Sequence, residues 1–482
     1  MTADTPAPLE ADVAIIGAGT AGMAAYREAR KYTDRVLLLD GGPLGTTCAR
    51  VGCMPSKLLI AAAEARHRAE DLGGFGLRGG PVGVDGVAVM RRVREERDRF
   101  VGFVHEAVES FDTAHLVRSH ARFEDDTTLA LEDGRRVHAR ATIIATGSRP
   151  SVALPFEAAG DRLIVNDDVF EWTDLPRSVA VFGAGVIGLE LGQALHRLGV
   201  RVRLFGRSGS VGPLSDPRVL DVARETLERE LPVHWNPETR VTREGDEVVV
   251  TWTDERGDGE ERFDYLLAAT GRRANVDSLG LEHTSVELDG RGVPHHDPLS
   301  GRCGTSAIFI AGDSTADLPL LHEAADEGRL AGENAARYPE AYRRARRTPL
   351  GVAFSDPQIA TVGEGHAELL ARDADFEAGE VSFEDQGRAR VMRVNRGMLR
   401  VYGERDTGRL LGAEMIGPAA EHLGHLLAWT IDGRTTASDA LAKPFYHPVL
   451  EEGLRTALRT LNARLGFDAN PPARCIDCGP GG

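Results

Sequence analysis

An α/β fold built on two wound parallel sheets is predicted by three observations. Two glycine-rich turns of identical spacing occur about 165 residues apart, an apolar run leads into each, and a helix-like stretch with a second apolar run follows each. The chain has 482 residues, 42% of them hydrophobic, which is enough for two or three domains that each bury a core.

The first turn lies in "ADVAIIGAGTAGMAAYREARKYTDRVLLLDGG". Residues 13–16 enter Gly17-x-Gly19-x-x-Gly22, and a second apolar run ends at Asp40. Glycines at this spacing permit a tight turn and let a pyrophosphate approach a helix N-terminus, where free N–H groups and the dipole favour anions. A carboxylate about 20 residues further on suits a ribose hydroxyl pair. The pattern returns in "SVAVFGAGVIGLELGQALHRLGVRVRLFGRSGS" with Gly183, Gly185 and Gly188. Both halves are therefore Rossmann-like dinucleotide-binding units. The second departs from the first at the end of its second strand, where Gly206 and Arg207 replace the acidic residue. A carboxylate there would repel a 2′-phosphate, whereas Gly followed by Arg supplies a phosphate partner, so NADPH is expected over NADH. The competing reading makes Arg207 a solvated surface residue.

Between the turns lies "GTTCARVGCMPSKLL". Cys48 and Cys53 are followed by Pro55 and a helix-forming run. Thiols near a helix start are poised for exchange. Zinc would need two further ligands near by, which this stretch lacks, so no metal site is expected. Five cysteines do not make a disulfide framework in a chain this long. Two of them, Cys475 and Cys478, stand in the Gly/Pro-rich "PPARCIDCGPGG", and Cys303 is expected to be structural.

The net charge of −17 argues against a nucleic-acid backbone or an anionic membrane as partner. No apolar run approaches the roughly 20 residues of a membrane span, and the acidic, Pro-containing start lacks signal-peptide character, so a cytoplasmic location is expected. Only three of the 57 basic residues are lysines, which makes Lys57, close behind Cys53, conspicuous.

The segment "GTTCARVGCMPSK" resembles the redox-active disulfide of the FAD-dependent pyridine nucleotide-disulfide oxidoreductases, the group containing dihydrolipoamide dehydrogenase, glutathione reductase, mercuric reductase and high-molecular-weight thioredoxin reductase. The likeness extends through "ATGSRP", the second glycine motif with Glu190, "ATGRRAN", "IFIAGDS", "FSDPQIATVG" and "HPVLEEG", nearly the whole chain. It implies an α+β dimerisation (interface) domain after the two dinucleotide domains, and a homodimer whose subunits share the active site. The implied boundaries are 1–150 with 278–347 for FAD, 151–277 for NADPH, 348–466 for the interface domain and 467–482 for a flexible redox tail.

The resemblance also implies roles. Cys53 would be the thiol beside the flavin and Cys48 the interchange thiol. Lys57 would sit near the flavin and pair with Glu190. FAD would be held by Gly17, Gly19, Gly22, Asp40, Gly41, Thr47, Lys57, Thr146, Gly147, Gly312 and Asp313. NADPH would be held by Gly183, Gly185, Gly188, Glu190, Arg207 and Gly271, with Val186 as a small nicotinamide gate. His447 and Glu452 would form an acid–base pair supplied by the other subunit, with His-Pro-Val where the family usually has His-Pro-Thr. Arg27 matches a glutathione-contacting position and equally suits a solvated helix residue.

Beyond His447, leucines 450, 454, 458, 461 and 465 form one helical stripe, read as core or dimer interface. A helix over about 450–465 carries the chain about 24 Å, and the following nine residues reach up to about 30 Å further. Cys475 and Cys478 can therefore return to an active site. A dithiol relay to a small-molecule or protein disulfide is the preferred role, ahead of metal handling and an inert tail. The rival functions are dihydrolipoyl dehydrogenase, mercuric reductase and a non-enzymatic flavin-bound redox sensor.

Overall fold

The computed structural model describes residues 8–207 and 209–467, so the expectations for Cys475 and Cys478 lie outside the described residues. Two compact units are present. Of the described residues, the first comprises 8–58, 91–151 and 271–346, and the second 59–90, 152–207, 209–270 and 347–467.

The first unit is wound around a seven-stranded sheet. Its parallel part runs Leu116–Val117, Val36–Leu39, Leu9–Ile16, Arg136–Ile144 and Ile308–Ile310. Strands Thr128–Leu131 and Ala121–Phe123 extend it antiparallel. Register pairs Ile16 with both Leu39 and Ile144, so the parallel strands end level beside the first glycine turn. Successive side chains of a strand point to opposite faces. Accordingly Ala14 and Ile16 join one apolar cluster, while Val13 and Ile15 join another with Ala21 and Ala25 of the helix Thr20–Ala29. The near-continuous apolar runs in the sequence reflect this burial on both faces.

The second unit holds a five-stranded parallel sheet in the order Val233–Trp235, Arg201–Gly206, Ser178–Phe182, Tyr265–Ala268 and Leu163–Ile164. An antiparallel meander, Glu238–Glu244, Glu247–Asp254 and Gly257–Phe263, shares its core through Val248, Val250 and Phe263. A separate five-stranded antiparallel sheet runs from Leu350–Ala353 to Phe376–Ser382, completing the expected α+β portion.

The helix Glu451–Leu465 packs on that antiparallel sheet, and Gly466 ends it in the left-handed region at φ 70°. Leu454, Leu458 and Leu461 lie in the sheet's apolar cluster and are core, and Leu465 packs partly buried against it. Burial of each core leucine contributes about 1.5–3 kcal/mol. The helix Pro217–Glu228 is tied to the same sheet by a buried polar knot. Its cap Asp216 accepts from Arg400 at 2.5 Å and from Tyr402 Oη at 2.9 Å, and Glu414 accepts from the Asp216 and Ser215 amides. Among the described residues no helix is long and apolar enough to cross a membrane.

Candidate active site

The cysteine pair is assembled by two consecutive helix starts. Thr46, at φ 56°, caps the short helix Thr47–Val51 by accepting the Ala49 N–H at 3.2 Å, which sets Cys48 in its first turn. Gly52 then breaks the helix, and Cys53 opens the long helix Cys53–Glu70. A Cβ on Gly52 would stand 3.0 Å from the Thr47 carbonyl and 3.2 Å from Cys48 Cα, so this break folds one cysteine turn tightly onto the other.

Cys48 is half-buried and Cys53 exposed. A hydrogen bond to Cys53 holds the Cys48 thiol protonated, and burial adds to that effect; the positive charge of Lys57 acts in the opposite direction. Cys53 opens the helix Cys53–Glu70, a position where the helix dipole favours a negative charge. Lys57 Nζ also lies 3.4 Å from Ser56 Oγ.

The first glycine turn fits a dinucleotide. A Cβ on Gly22 would come within 1.8 Å of the Gly17 carbonyl oxygen, so only glycine allows the helix to start this close to the turn. A Cβ on Gly19 would meet nothing within 4 Å, which leaves the helix start open to a pyrophosphate. The helix Thr20–Ala29 has neither a side-chain cap nor an acidic residue in its first turn. Asp40 is set by the Ala18 and Gly42 amides at 2.7 and 2.8 Å, with Arg118 at 3.5 Å. At the same sheet, Asp313 accepts from Ser148 Oγ at 2.8 Å, and Arg272 Nε donates to that hydroxyl at 2.9 Å. The preceding Gly312, at φ 72°, donates its N–H to Glu327. Thr146 and Gly147 are fastened to Asn275, whose amide donates to the Gly147 carbonyl at 2.9 Å. Gly41 and Thr47 are exposed beside these groups. An open helix start flanked by two carboxylates suits FAD as the nucleotide held in this unit.

The second glycine turn repeats the geometry. A Cβ on Gly188 would lie 1.9 Å from the Gly183 carbonyl oxygen, one on Gly185 would meet nothing, and Val186 begins the helix Val186–Arg197. Glu190 on that helix is buried, and its Oε1 accepts the Phe354 N–H at 2.9 Å. Arg207 follows the strand Arg201–Gly206, and its carbonyl accepts from Ser210 Oγ at 3.2 Å. Gly271 belongs to the first unit, where its carbonyl accepts the Ser151 N–H.

In the second unit His447 and Glu452 meet as a pair. His447 Nδ1 lies 2.8 Å from Glu452 Oε1, and Glu452 Oε2 accepts the Val449 N–H at 3.1 Å. Glu452 is 2% exposed while the His447 side chain is 58% exposed. The carboxylate is thus fixed and the far ring nitrogen is presented outward. Arg27 is exposed, with its guanidinium 5.1 Å from the Phe111 ring centroid. Cys303 is fully buried, its thiol pushed up to about 12 by burial, which agrees with a structural role. Among the described residues no group of three His, Cys, Asp or Glu side chains could hold a metal ion.

Ser148, Arg272, Asn275 and Phe354 were not among the residues singled out in the sequence. Ser148 and Arg272 are 124 residues apart and meet only because Ser148–Pro150 pairs antiparallel with Arg272–Ala274. The two flanking "ATGxR" repeats were the available signal.

Comparison with known proteins gives the same pattern over the chain. The family model described as pyridine nucleotide-disulphide oxidoreductase matches residues 11–328, and the model of that family's dimerisation domain matches residues 350–458. The mercuric reductase of Streptomyces lividans is 34% identical over 469 residues, covering 94% of this chain and 96% of that protein. A dihydrolipoyl dehydrogenase of Geobacillus stearothermophilus is 29% identical, covering 92% and 94%. Among solved structures, LpdA from Mycobacterium tuberculosis superposes with a TM-score of 0.79 at 24% identity over 93% of this chain and 99% of that one. The HOCl-induced flavoprotein disulfide reductase RclA from Escherichia coli gives 0.77 at 20% identity over 95% and 100%. With the hydrogen-bonded cysteine pair and both dinucleotide turns in place, these matches make the chain a member of the pyridine nucleotide-disulphide oxidoreductases, FAD-dependent enzymes that act on sulfur groups.

Proposed function

We propose that the chain is an NADPH-dependent disulfide reductase working as a homodimer, with Cys48 and Cys53 as its dithiol. The observation that carries this reading is the hydrogen-bonded pair of Cys48 and Cys53 at two adjoining helix starts, close to the charge of Lys57. The domains proposed for these roles are FAD over 1–150 and 278–347, NADPH over 151–277 and the interface over 348–466.

When bound, FAD supplies hydride acceptance from the nicotinamide and passage of two electrons to the Cys48–Cys53 disulfide. The chain's own residues do the rest. Asp40, Asp313 and the Gly17–Gly22 turn hold one nucleotide, and the Gly183–Gly188 turn with Arg207 holds the other. The Cys48 thiolate attacks one sulfur of the substrate disulfide; a mixed disulfide forms and the other sulfur leaves as a thiolate, protonated by the partner subunit's His447. Cys53 thiolate then attacks Cys48 Sγ, the internal disulfide re-forms, and the second thiol departs. The balance is one NADPH and one proton consumed, and two thiols released, per disulfide.

Cofactor choice is tested first. With kcat/KM measured for both nucleotides, NADPH is expected to exceed NADH by at least about tenfold, and Arg207→Glu to reverse the order by repelling the 2′-phosphate. An NADH value equal to or above that of NADPH overturns the assignment.

The Cys475/Cys478 tail is assigned as a relay between the partner's Cys48 and a bulky disulfide. Anaerobic titration is expected to consume about one more NADPH per subunit in the full chain than in a chain ending before Cys475, since each two-electron centre takes one equivalent. Truncation also abolishes turnover of bulky disulfides and spares small ones. An unchanged endpoint with unchanged kinetics returns the tail to the inert reading. The likeness to a mercuric reductase supports a second reading, Hg(II) reduction, so the substrate panel includes Hg(II) alongside disulfides and dihydrolipoamide with NAD⁺.

A further inference from the structure

Position 206 is glycine for a reason other than its own backbone. Gly206 closes the strand Arg201–Gly206, and it is absent from the glycines with positive φ, so its conformation suits any residue. What forbids a side chain is Trp235, its register partner on the neighbouring parallel strand. A Cβ on Gly206 would stand 2.9 Å from Trp235 Cε3, 3.1 Å from Cζ3 and 3.2 Å from the Cβ of Ala184, inside the second glycine turn. The indole is anchored from behind, because its Nε1–H donates to Glu228 Oε1 at 2.5 Å and Arg256 donates to the same oxygen at 2.6 Å. The next amide, that of Asn236, donates to the Gly206 carbonyl at 2.6 Å, which fixes the two strand ends together. A swing of the ring away from position 206 would therefore break a charge-assisted hydrogen bond.

We propose, resting on the NADPH reading above, that Trp235 is a steric block that keeps any side chain out of position 206, at the end of the strand beside the nucleotide site. The indole closes position 206 against the carboxylate that would select a free ribose 2′-hydroxyl, and leaves Arg207 as the charged side chain at the strand's end. The selectivity is then a property of the pair. Removal of the indole alone leaves glycine at 206 and the preference unchanged, whereas a carboxylate enters only when the indole has gone.

The test compares the FAD-loaded full chain with Gly206→Glu, Trp235→Thr and the double variant. Thermal melting is recorded, and affinities for 2′,5′-ADP and ADP-ribose are measured by calorimetry, both probes being inert to hydride transfer. Gly206→Glu alone is expected to lower the melting temperature by about 5 °C through overpacking and to weaken both probes. Trp235→Thr keeps the wild-type ratio of the two dissociation constants. The double variant melts higher than the sum of the single effects and moves the ratio at least about tenfold toward ADP-ribose. The proposal is overturned if Gly206→Glu alone melts like the wild type and shifts the ratio as far as the double variant. It is equally overturned if the double variant shows neither recovery nor shift. A wild type that binds ADP-ribose as tightly as 2′,5′-ADP overturns the NADPH reading instead, and the melting cycle still decides whether the indole excludes a side chain.

Discussion

Replacing Cys48 by Ser is expected to reduce disulfide turnover by at least about a thousandfold while NADPH still bleaches the flavin at close to the wild-type rate. The loss is that of a nucleophile, for which a serine hydroxyl at neutral pH is no substitute. The structure adds a sharper signature. The Cys48 thiol is hydrogen-bonded to Cys53 and held protonated by that contact, and in the proposed mechanism the negative charge of the reduced pair is carried by Cys53, at the start of the helix Cys53–Glu70. With Cys48 gone, Cys53 cannot form the internal disulfide and is left as a thiolate. Long-wavelength absorption is then expected in the oxidised, FAD-loaded variant without added reductant, and absent in Cys53→Ser. Exposure ranks the thiols the other way, Cys53 exposed and Cys48 half-buried, so accessibility alone does not assign the roles. Retention of turnover in Cys48→Ser with its loss in Cys53→Ser would exchange them.

The parts of this molecule that were legible in its sequence are those fixed by short-range constraints. The glycine turns were readable because Gly22 must approach Gly17, and Gly188 must approach Gly183, within one helix start. The His447–Glu452 pair was readable through the resemblance of "HPVLEEG", a short motif that keeps its two members five residues apart. The meander Glu238–Phe263 went unread although alternation in "EVVVTWTD" and turns at Gly245 and Gly257 signal it. Long-range constraints left no such trace. Nothing in the sequence says that Ser148 joins Arg272 to Asp313, that the Phe354 amide reaches Glu190, or that Trp235 covers Gly206, because each depends on which strand or segment lies beside which. Even the leucine stripe at 450–465 was ambiguous until the antiparallel sheet beneath it showed Leu454, Leu458 and Leu461 to be core.

His447→Ala is expected to slow disulfide turnover by about a hundredfold to ten-thousandfold and to change the stopped-flow rate of flavin reduction by NADPH less than about twofold. The division follows from where a proton must move. In the proposed mechanism electron entry involves the nicotinamide and the flavin, whereas thiol interchange needs a proton taken from Cys48 and one given to the departing thiolate. Glu452 holds the imidazole for that work: one oxygen lies 2.8 Å from Nδ1 and the other is occupied by the Val449 amide, so the buried carboxylate has one orientation and the ring presents Nε2 outward. In the proposed mechanism Glu452 is a positioning residue, and Glu452→Gln, which keeps the hydrogen-bonding shape without the charge, is expected to cost less than His447→Ala and to leave flavin reduction unchanged. Added imidazole should restore part of the turnover of His447→Ala but none of that lost in Cys48→Ser, a difference that mere structural damage at residue 447 would not produce. Equal slowing of flavin reduction and disulfide turnover in His447→Ala would remove His447 from the interchange step and leave the pair as a cap on the helix Glu451–Leu465.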